Sequence, residues 1–286
     1  MCDMEPEIEE VLALEDPAER ARRFHRMVSR LQELTGEASR GRREAIEELL
    51  ASPKTTQADV ARMLGVTRSR VSRLLSSAPN IERALLGSGP ITIAVGGKRE
   101  GEKAESKASI VASNEAMEAF GILSRMCTDF DLGLARPNPE IVPPPGLVEL
   151  NRDNLIVLTS PRLLPFVGQI LESDKHFGFR PSDQGWYLVD HDTGTNYRSP
   201  SDSEKPADFG YIGRLPRPDG KGTFLYMAGI HAMGTWGTAH FLQHNIADIY
   251  KEAKLSRWSV LIRCDYDPDT KQIIATEAIT PIHVVR

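Results

Sequence analysis

Arg68, Ser69, Arg70, Ser72 and Arg73 crowd one short stretch, residues 56–78 (TQADVARMLGVTRSRVSRLLSSA), and are side chains that read duplex DNA. Arginine pairs bidentately with guanine, and serine serves several bases or phosphates. Three further stretches offer a different chemistry. Gly96-Gly97-Lys98-Arg99, Thr159-Ser160-Pro161-Arg162 and Gly229-Ile230-His231-Ala232-Met233-Gly234-Thr235 each follow an apolar run and supply glycine or a hydroxyl. Lys98, Arg99 and Arg162 add positive charge. The ligand class implied is a phosphate-bearing or otherwise anionic small molecule, a class that includes nucleotides, held by Gly96, Gly97, Lys98, Arg99, Ser160, Arg162, Gly229, His231, Gly234 and Thr235. None of these turns is a P-loop or a GxGxxG. His231 can donate to a ligand oxygen, act as an acid or base near neutral pH, or cap its own turn. Residues 190–208 are polar and rich in turn formers, and read either as a lid bringing Tyr197 and Arg198 to the ligand or as a solvated loop.

No catalytic constellation accompanies these turns. Asp190 and Asp192 have no nucleophile to serve, and Ser160 is not part of a GxSxG elbow. His240 and His244 stand four apart, a metal-binding spacing on a helix, yet Phe241 replaces the glutamate of HExxH and no third ligand is evident. Neither a metal nor a cofactor is expected.

The arginine-rich stretch needs two helices to present it. Thr56 and Asp59 form a capping-box pattern at the start of a helix over 57–64, and Gly65 stops that helix. Thr67 caps a second helix over 68–77, while Val60, Leu64, Val66, Val71 and Leu74 recur at spacings that bury a shared wedge and Ala61 is small enough for a close crossing. These positions match the helix-turn-helix pattern of bacterial regulators and resemble region 4 of sigma factors. The resemblance implies that the second helix enters the major groove, with Thr56, Thr67, Arg68, Ser69, Arg70, Ser72 and Arg73 on the DNA side, and that two half-sites are read by a homodimer.

At 286 residues the chain is long for one core, so two domains are the natural division. No apolar run approaches the ~20 residues that span a bilayer, and the acidic start MCDMEPEIEE does not read as a signal peptide. Cys2, Cys127 and Cys264 lie far apart without CxxC spacing, which fits a reducing cytoplasm. The net charge of −5 is unevenly spread: residues 1–20 hold eight acids and one base, residues 41–80 seven bases and four acids. Groove binding needs only the local basic surface.

Ahead of the motif, Asp16-Pro17 reads as a helix start, and Phe24, Met27, Val28, Leu31 and Leu34 fall at helical spacing among arginines. Residues 1–40 are thus amphipathic helices suited to dimerisation or to packing on the motif. A separate helix over 42–51, burying Ala45, Ile46, Leu49 and Leu50, supports a DNA-binding domain at 41–86. Gly87-Ser88-Gly89-Pro90 is the expected linker. From 89 to 286 apolar strands alternate with helices: ITIAVGG, LIVL and FLYMAG each precede a helical stretch. The pattern predicts a mainly parallel, Rossmann-like α/β domain, with an antiparallel edge formed by two strands around Asp267–Thr270 and a surface connection at Pro137–Pro145. The fold class expected is an all-helical helix-turn-helix domain followed by this α/β domain. The function expected is a cytoplasmic, dimeric, sequence-specific regulator of transcription that binds double-stranded DNA and senses a small anion. Alternatives are a nucleotide- or nucleoside-processing enzyme localised by its DNA-binding motif, and a protein–protein adaptor.

Overall fold

The computed structural model describes residues 4–52, 54–77, 85–87, 90–100, 109–129, 137–143 and 147–285, in two compact units, Met1–Asn80 and Ile81–Arg286. The first unit's described residues form α1 (Met4–Leu12), α2 (Pro17–Ala51), α3 (Gln57–Met63) and α4 (Arg68–Ser77). Asp16 caps α2 by accepting the N–H groups of Ala18 and Glu19, with Pro17 at the first helical position. The helix then continues unbroken to Ala51 instead of stopping near Leu34 and restarting at Arg42. Its interior holds Gly36 and Gly41 but no proline, and glycine costs a helix only about 1 kcal/mol against the roughly 3 of proline.

Local chemistry sets the α3–α4 pair. Thr56 Oγ1 accepts the Asp59 N–H while Asp59 Oδ2 accepts the Thr56 N–H, a complete capping box. At the other end Gly65 takes φ +64°, Val66 N–H donates to Ala61 O at 2.9 Å and Gly65 N–H to Arg62 O at 3.3 Å, a Schellman closure. Thr67 Oγ1 then accepts the Arg70 N–H and starts α4. Ile46 of α2, Val60 and Ala61 of α3, and Val71 and Leu74 of α4 form the small core, flanked by Leu50 and Leu75. Leu64 and Val66 are exposed, contrary to the expected wedge, because the Schellman closure turns residues 64–66 away from that core. Ala45 and Leu49 are exposed as well, so α2 contributes a narrower stripe than its sequence suggested.

The second unit is a mixed α/β structure. Its strands are β1 (Thr92–Glu100), β2 (Ser109–Ala112), β3 (Asn138–Val142), β4 (Leu155–Leu158), β5 (Phe177–Ser182), β6 (Gly185–Asp190), β7 (Thr195–Arg198), β8 (Ala207–Pro216), β9 (Thr223–Gly229), β10 (Arg257–Tyr266), β11 (Ile273–Ala278) and β12 (His283–Val285). Its helices are α5 (Asn114–Asp129), α6 (Pro165–Leu171) and α7 (Ala232–Ala253). The main sheet runs β11-β10-β8-β9-β4-β1-β2, with β12 paired to β10 and β3 to β1. Only β3, β1, β4 and β9 pair in parallel; β2, β8, β10, β11 and β12 join antiparallel. The sheet is therefore mixed, and its antiparallel part extends well beyond the edge hairpin read from the sequence. The expected connection at 137–145 contains β3, an outer strand that tolerates Pro139 because it pairs only with β1.

Both faces of this sheet are covered, which explains its unbroken apolar runs. In LIVL, Ile156 and Leu158 pack with α5 and α7, while Leu155 and Val157 pack on the other face with α6 and the separate sheet β5-β6-β7. Leu85 and Leu86 belong to the α5–α7 core, so the junction between units lies ahead of the Gly87–Pro90 tetrapeptide.

Candidate functional site

The carboxyl ends of β9 and β4 and the middle of β1, three neighbouring parallel strands, open onto a cleft of about 60 Å³. Gly96, Lys98, Leu158, Thr159, Ser160, Arg162, Leu163, Gly229, His231 and Thr235 line it, joined by Ser113 and Ala116 of α5 and by Ala232 at the start of α7. Residues of all three stretches singled out in the sequence thus meet at one place, but Gly96–Arg99 is not a turn: it continues β1 and pairs with β2, Gly97 opposite Ala112 and Arg99 opposite Ile110. The parallel strands β4 and β9 each end here in a turn, which brings short side chains to the edge, while β1 runs on past it. Lys98 and Arg162 are exposed and form no ion pair among the described residues. The close approach at the floor requires glycine: a Cβ on Gly96 would lie 2.1 Å from Thr159 Oγ1.

Other expected ligand residues do different work. Gly97 packs beneath Ile110 and Ile141 rather than lining the cleft. Gly234 packs too tightly to admit a ligand, since a Cβ there would lie 2.4 Å from Phe209 O and 2.6 Å from Asp208 Oδ2. Tyr197 and Arg198 belong to β7: the Tyr197 ring meets Phe209 edge-on at 5.4 Å, and Arg198 donates to Ser182 Oγ and lies over the Tyr187 ring. Neither reaches the cleft, because β7 ties them to the three-stranded sheet. The Arg99 side chain lies outside the described residues. The polar segment 190–208 does touch the cleft at one point, the 3-10 turn Pro200–Ser203, where Asp202 Oδ1 sits 2.7 Å from His231 Nε2. Asp190 accepts the N–H groups of Asp192 and Thr193, a turn role.

Asp208 is the residue that sequence reasoning missed. Fully buried on β8, its Oδ2 accepts the N–H groups of His231 at 2.9 Å and Gly234 at 2.7 Å, and its Oδ1 that of Phe209 at 2.8 Å. It caps α7 from another strand, and burial pushes its carboxyl above the usual range despite the Ser199 hydroxyl, the His231 charge and these amides, which pull the other way. Only the pairing of β8 with β9 brings it to a helix that starts at Ala232, so no local motif could announce it. Thr235 closes the same junction by accepting the Gly229 N–H through Oγ1. His240 meets Thr276 and His244, and His244 donates to His240 O; burial, aided by His244, lowers the His240 pKa.

In the first unit, Arg68, Ser69, Arg70 and Ser72 are exposed on α4, with Val71 and Leu74 buried beneath. Arg22, Arg23 and Arg26 pair with Glu19, Arg43 with Glu47, and Arg62 with Asp59, whereas Arg20, Arg30, Arg42, Arg68 and Arg70 form no ion pair among the described residues. Thr56 and Thr67 use their hydroxyls as helix caps. Ser72 borders a shallow hollow with Arg43, Glu47, Leu50, Ala51 and Leu75, on the α2 side of the helix. The Arg73 side chain lies outside the described residues. Comparison with protein-family models, curated proteins and solved structures gives no match.

Proposed function

We propose that the chain is a sequence-specific DNA-binding regulator, with α3–α4 as a helix-turn-helix and the second unit as the sensor of a small anion. The observation that carries this reading is the placement of Arg68 and Arg70, which stand exposed on a helix anchored by Val71 and Leu74 and form no ion pair among the described residues. Exposed guanidinium groups on one helix are available to phosphates and guanine edges. The sensor reading rests on the cleft, where Lys98, Arg162 and Ser160 meet. A regulator of this kind works as a homodimer in the cytoplasm, and a ligand changes its output by favouring one of two arrangements of the DNA-binding heads.

The test is gel retardation of genomic fragments by the full-length protein. Wild type retains a specific fragment, and the Arg68→Ala/Arg70→Ala protein, folded by circular dichroism, does not. Retention unchanged by that double substitution refutes the reading. For the cleft, pyrophosphate or a nucleotide raises the melting temperature of wild type but not of Lys98→Ala/Arg162→Ala. One observation favours a second reading, an enzyme acting on nucleotides: the 2.7 Å His231–Asp202 pair at the cleft rim orients an imidazole as acid–base pairs do. Turnover of a nucleotide panel, lost in His231→Ala while nucleotide binding persists, would decide for it.

A further inference from the structure

Away from the cleft, His176, Asp192 and His283 place one donor atom each within 4.8 Å of one another. His176 Nδ1 lies 2.6 Å from Asp192 Oδ2, His283 Nδ1 lies 3.5 Å from the same oxygen, and the two imidazoles face each other at 4.2 Å between centroids. From these residues we infer a site for a first-row divalent ion of the zinc type, independent of the proposed DNA and anion functions.

Donor type and spacing support it. Zinc takes imidazole nitrogen and carboxylate oxygen at about 2.0–2.2 Å, which puts neighbouring donors of a tetrahedral site roughly 3.3–3.5 Å apart. The observed 2.6 and 3.5 Å bracket that spacing, so seating an ion asks for side-chain rotation and leaves the backbone in place. Two nitrogens and one oxygen disfavour calcium and magnesium, which take oxygen shells.

The backbone around the donors is fixed from three directions. His176 and Asp192 flank the β5–β6 hairpin, whose pairing Phe177↔Asp190 sets their separation. His191 N–H donates to His176 O at 2.7 Å, His176 N–H to Asp174 Oδ1 and Asp192 N–H to Asp190 Oδ1. His283 arrives on β12, opposite Ser259 of β10, with its ring edge-on to Phe177 at 5.1 Å. The trio thus joins the three-stranded sheet to the last strand of the main sheet. All three side chains remain partly exposed, so an ion can enter and its fourth position falls to water.

The test dialyses EDTA-treated full-length protein against zinc sulfate and counts metal per chain by elemental mass spectrometry. One zinc per chain is expected. His176→Gln and His283→Gln should each weaken binding by more than the roughly 10–100-fold that changes around a ligand cost, while His240→Gln/His244→Gln leaves it intact. Wild type supplies the check that needs no variant: zinc should protect His176 and His283 from diethylpyrocarbonate, mapped by peptide mass. No retained zinc, zinc removed by the His240/His244 double substitution instead, or modification of His176 and His283 undiminished by zinc would each overturn the site.

Discussion

Asp208→Ala should unfold the second unit more readily, and the structure fixes the scale. The side chain satisfies the amides of His231 and Gly234 at the start of α7, and the Phe209 amide on its own strand. Removing it leaves two first-turn donors without partners, at roughly 1–3 kcal/mol each, or about 2–6 together. Release of a carboxyl whose charged form is penalised by burial returns part of this, so a loss of about 3 kcal/mol is expected. Asp208→Asn keeps one oxygen for His231 and Gly234 but turns an NH₂ toward the Phe209 N–H, and should cost about half as much. Guanidinium unfolding followed by tryptophan fluorescence measures this unit alone, since Trp186, Trp236 and Trp258 all lie in it. The substitutions also separate the pH terms. A raised folded pKa means that this group favours folding most below its ordinary value of 3.8, and that the contribution declines as pH rises through the raised pKa. Asp208→Asn should lack that decline. A loss below about 1 kcal/mol for Asp208→Ala would refute the capping role.

Gly234→Ala should destabilise the second unit by about 1–3 kcal/mol or more, because the methyl meets Phe209 O and Asp208 Oδ2, whereas Gly41→Ala, with nothing within 4 Å of the new methyl, should stabilise the first by about 1 kcal/mol. Denaturation read by fluorescence for one and by helical circular dichroism for the other gives both signs. His240 has a lowered folded pKa, so its contribution is fully present above the ordinary 6.5 and is lost as pH falls through the folded value; His240→Gln should flatten that part of a stability–pH curve. Burial pushes the Cys127 thiol up to about 11 and that of Cys264 to about 12, so neither should react with iodoacetamide in the folded protein at neutral pH, and both should react in guanidinium, as peptide mass spectrometry would show.

Elements governed by near neighbours were legible. The caps at Asp16, Thr56 and Thr67, the reversal at Gly65 and the hairpin around Asp267–Thr270 each follow from residues within a few positions of one another. The cleft was legible for a related reason: three similar apolar runs had to lie side by side, which brings the turns after β4 and β9 next to Gly96 and Lys98, although β1 runs on where a turn was expected. What escaped was set by distant pairing. The long α2 gives no stop signal for a subtler reason, that glycine weakens a helix without ending it. The β5-β6-β7 sheet claimed Tyr197 and Arg198, and nothing in DHDTGTNYR marks that segment as a strand pairing with residues 187–190. His176 precedes β5, Asp192 follows β6 and His283 lies on β12, without the fixed spacing by which a metal motif is read.

The position of Asp208 also bears on how the cleft would hold an anion. A helix start normally attracts negative charge through about half a unit of positive dipole and its free amides. On α7 the amides of His231 and Gly234 already serve Asp208, and that carboxyl, when ionised, places a full negative charge behind the turn. Asp202 adds another beside His231. Attraction must therefore come chiefly from Lys98 and Arg162, with Ser160 and the remaining turn amides supplying orientation. Both cations are exposed, so their pull is screened within a Debye length of about 8 Å at physiological salt. Neutralising Asp208 relieves the repulsion from within. Anion affinity should accordingly rise in Asp208→Asn even as stability falls, a divergence that a helix-dipole site without an internal carboxylate would not produce.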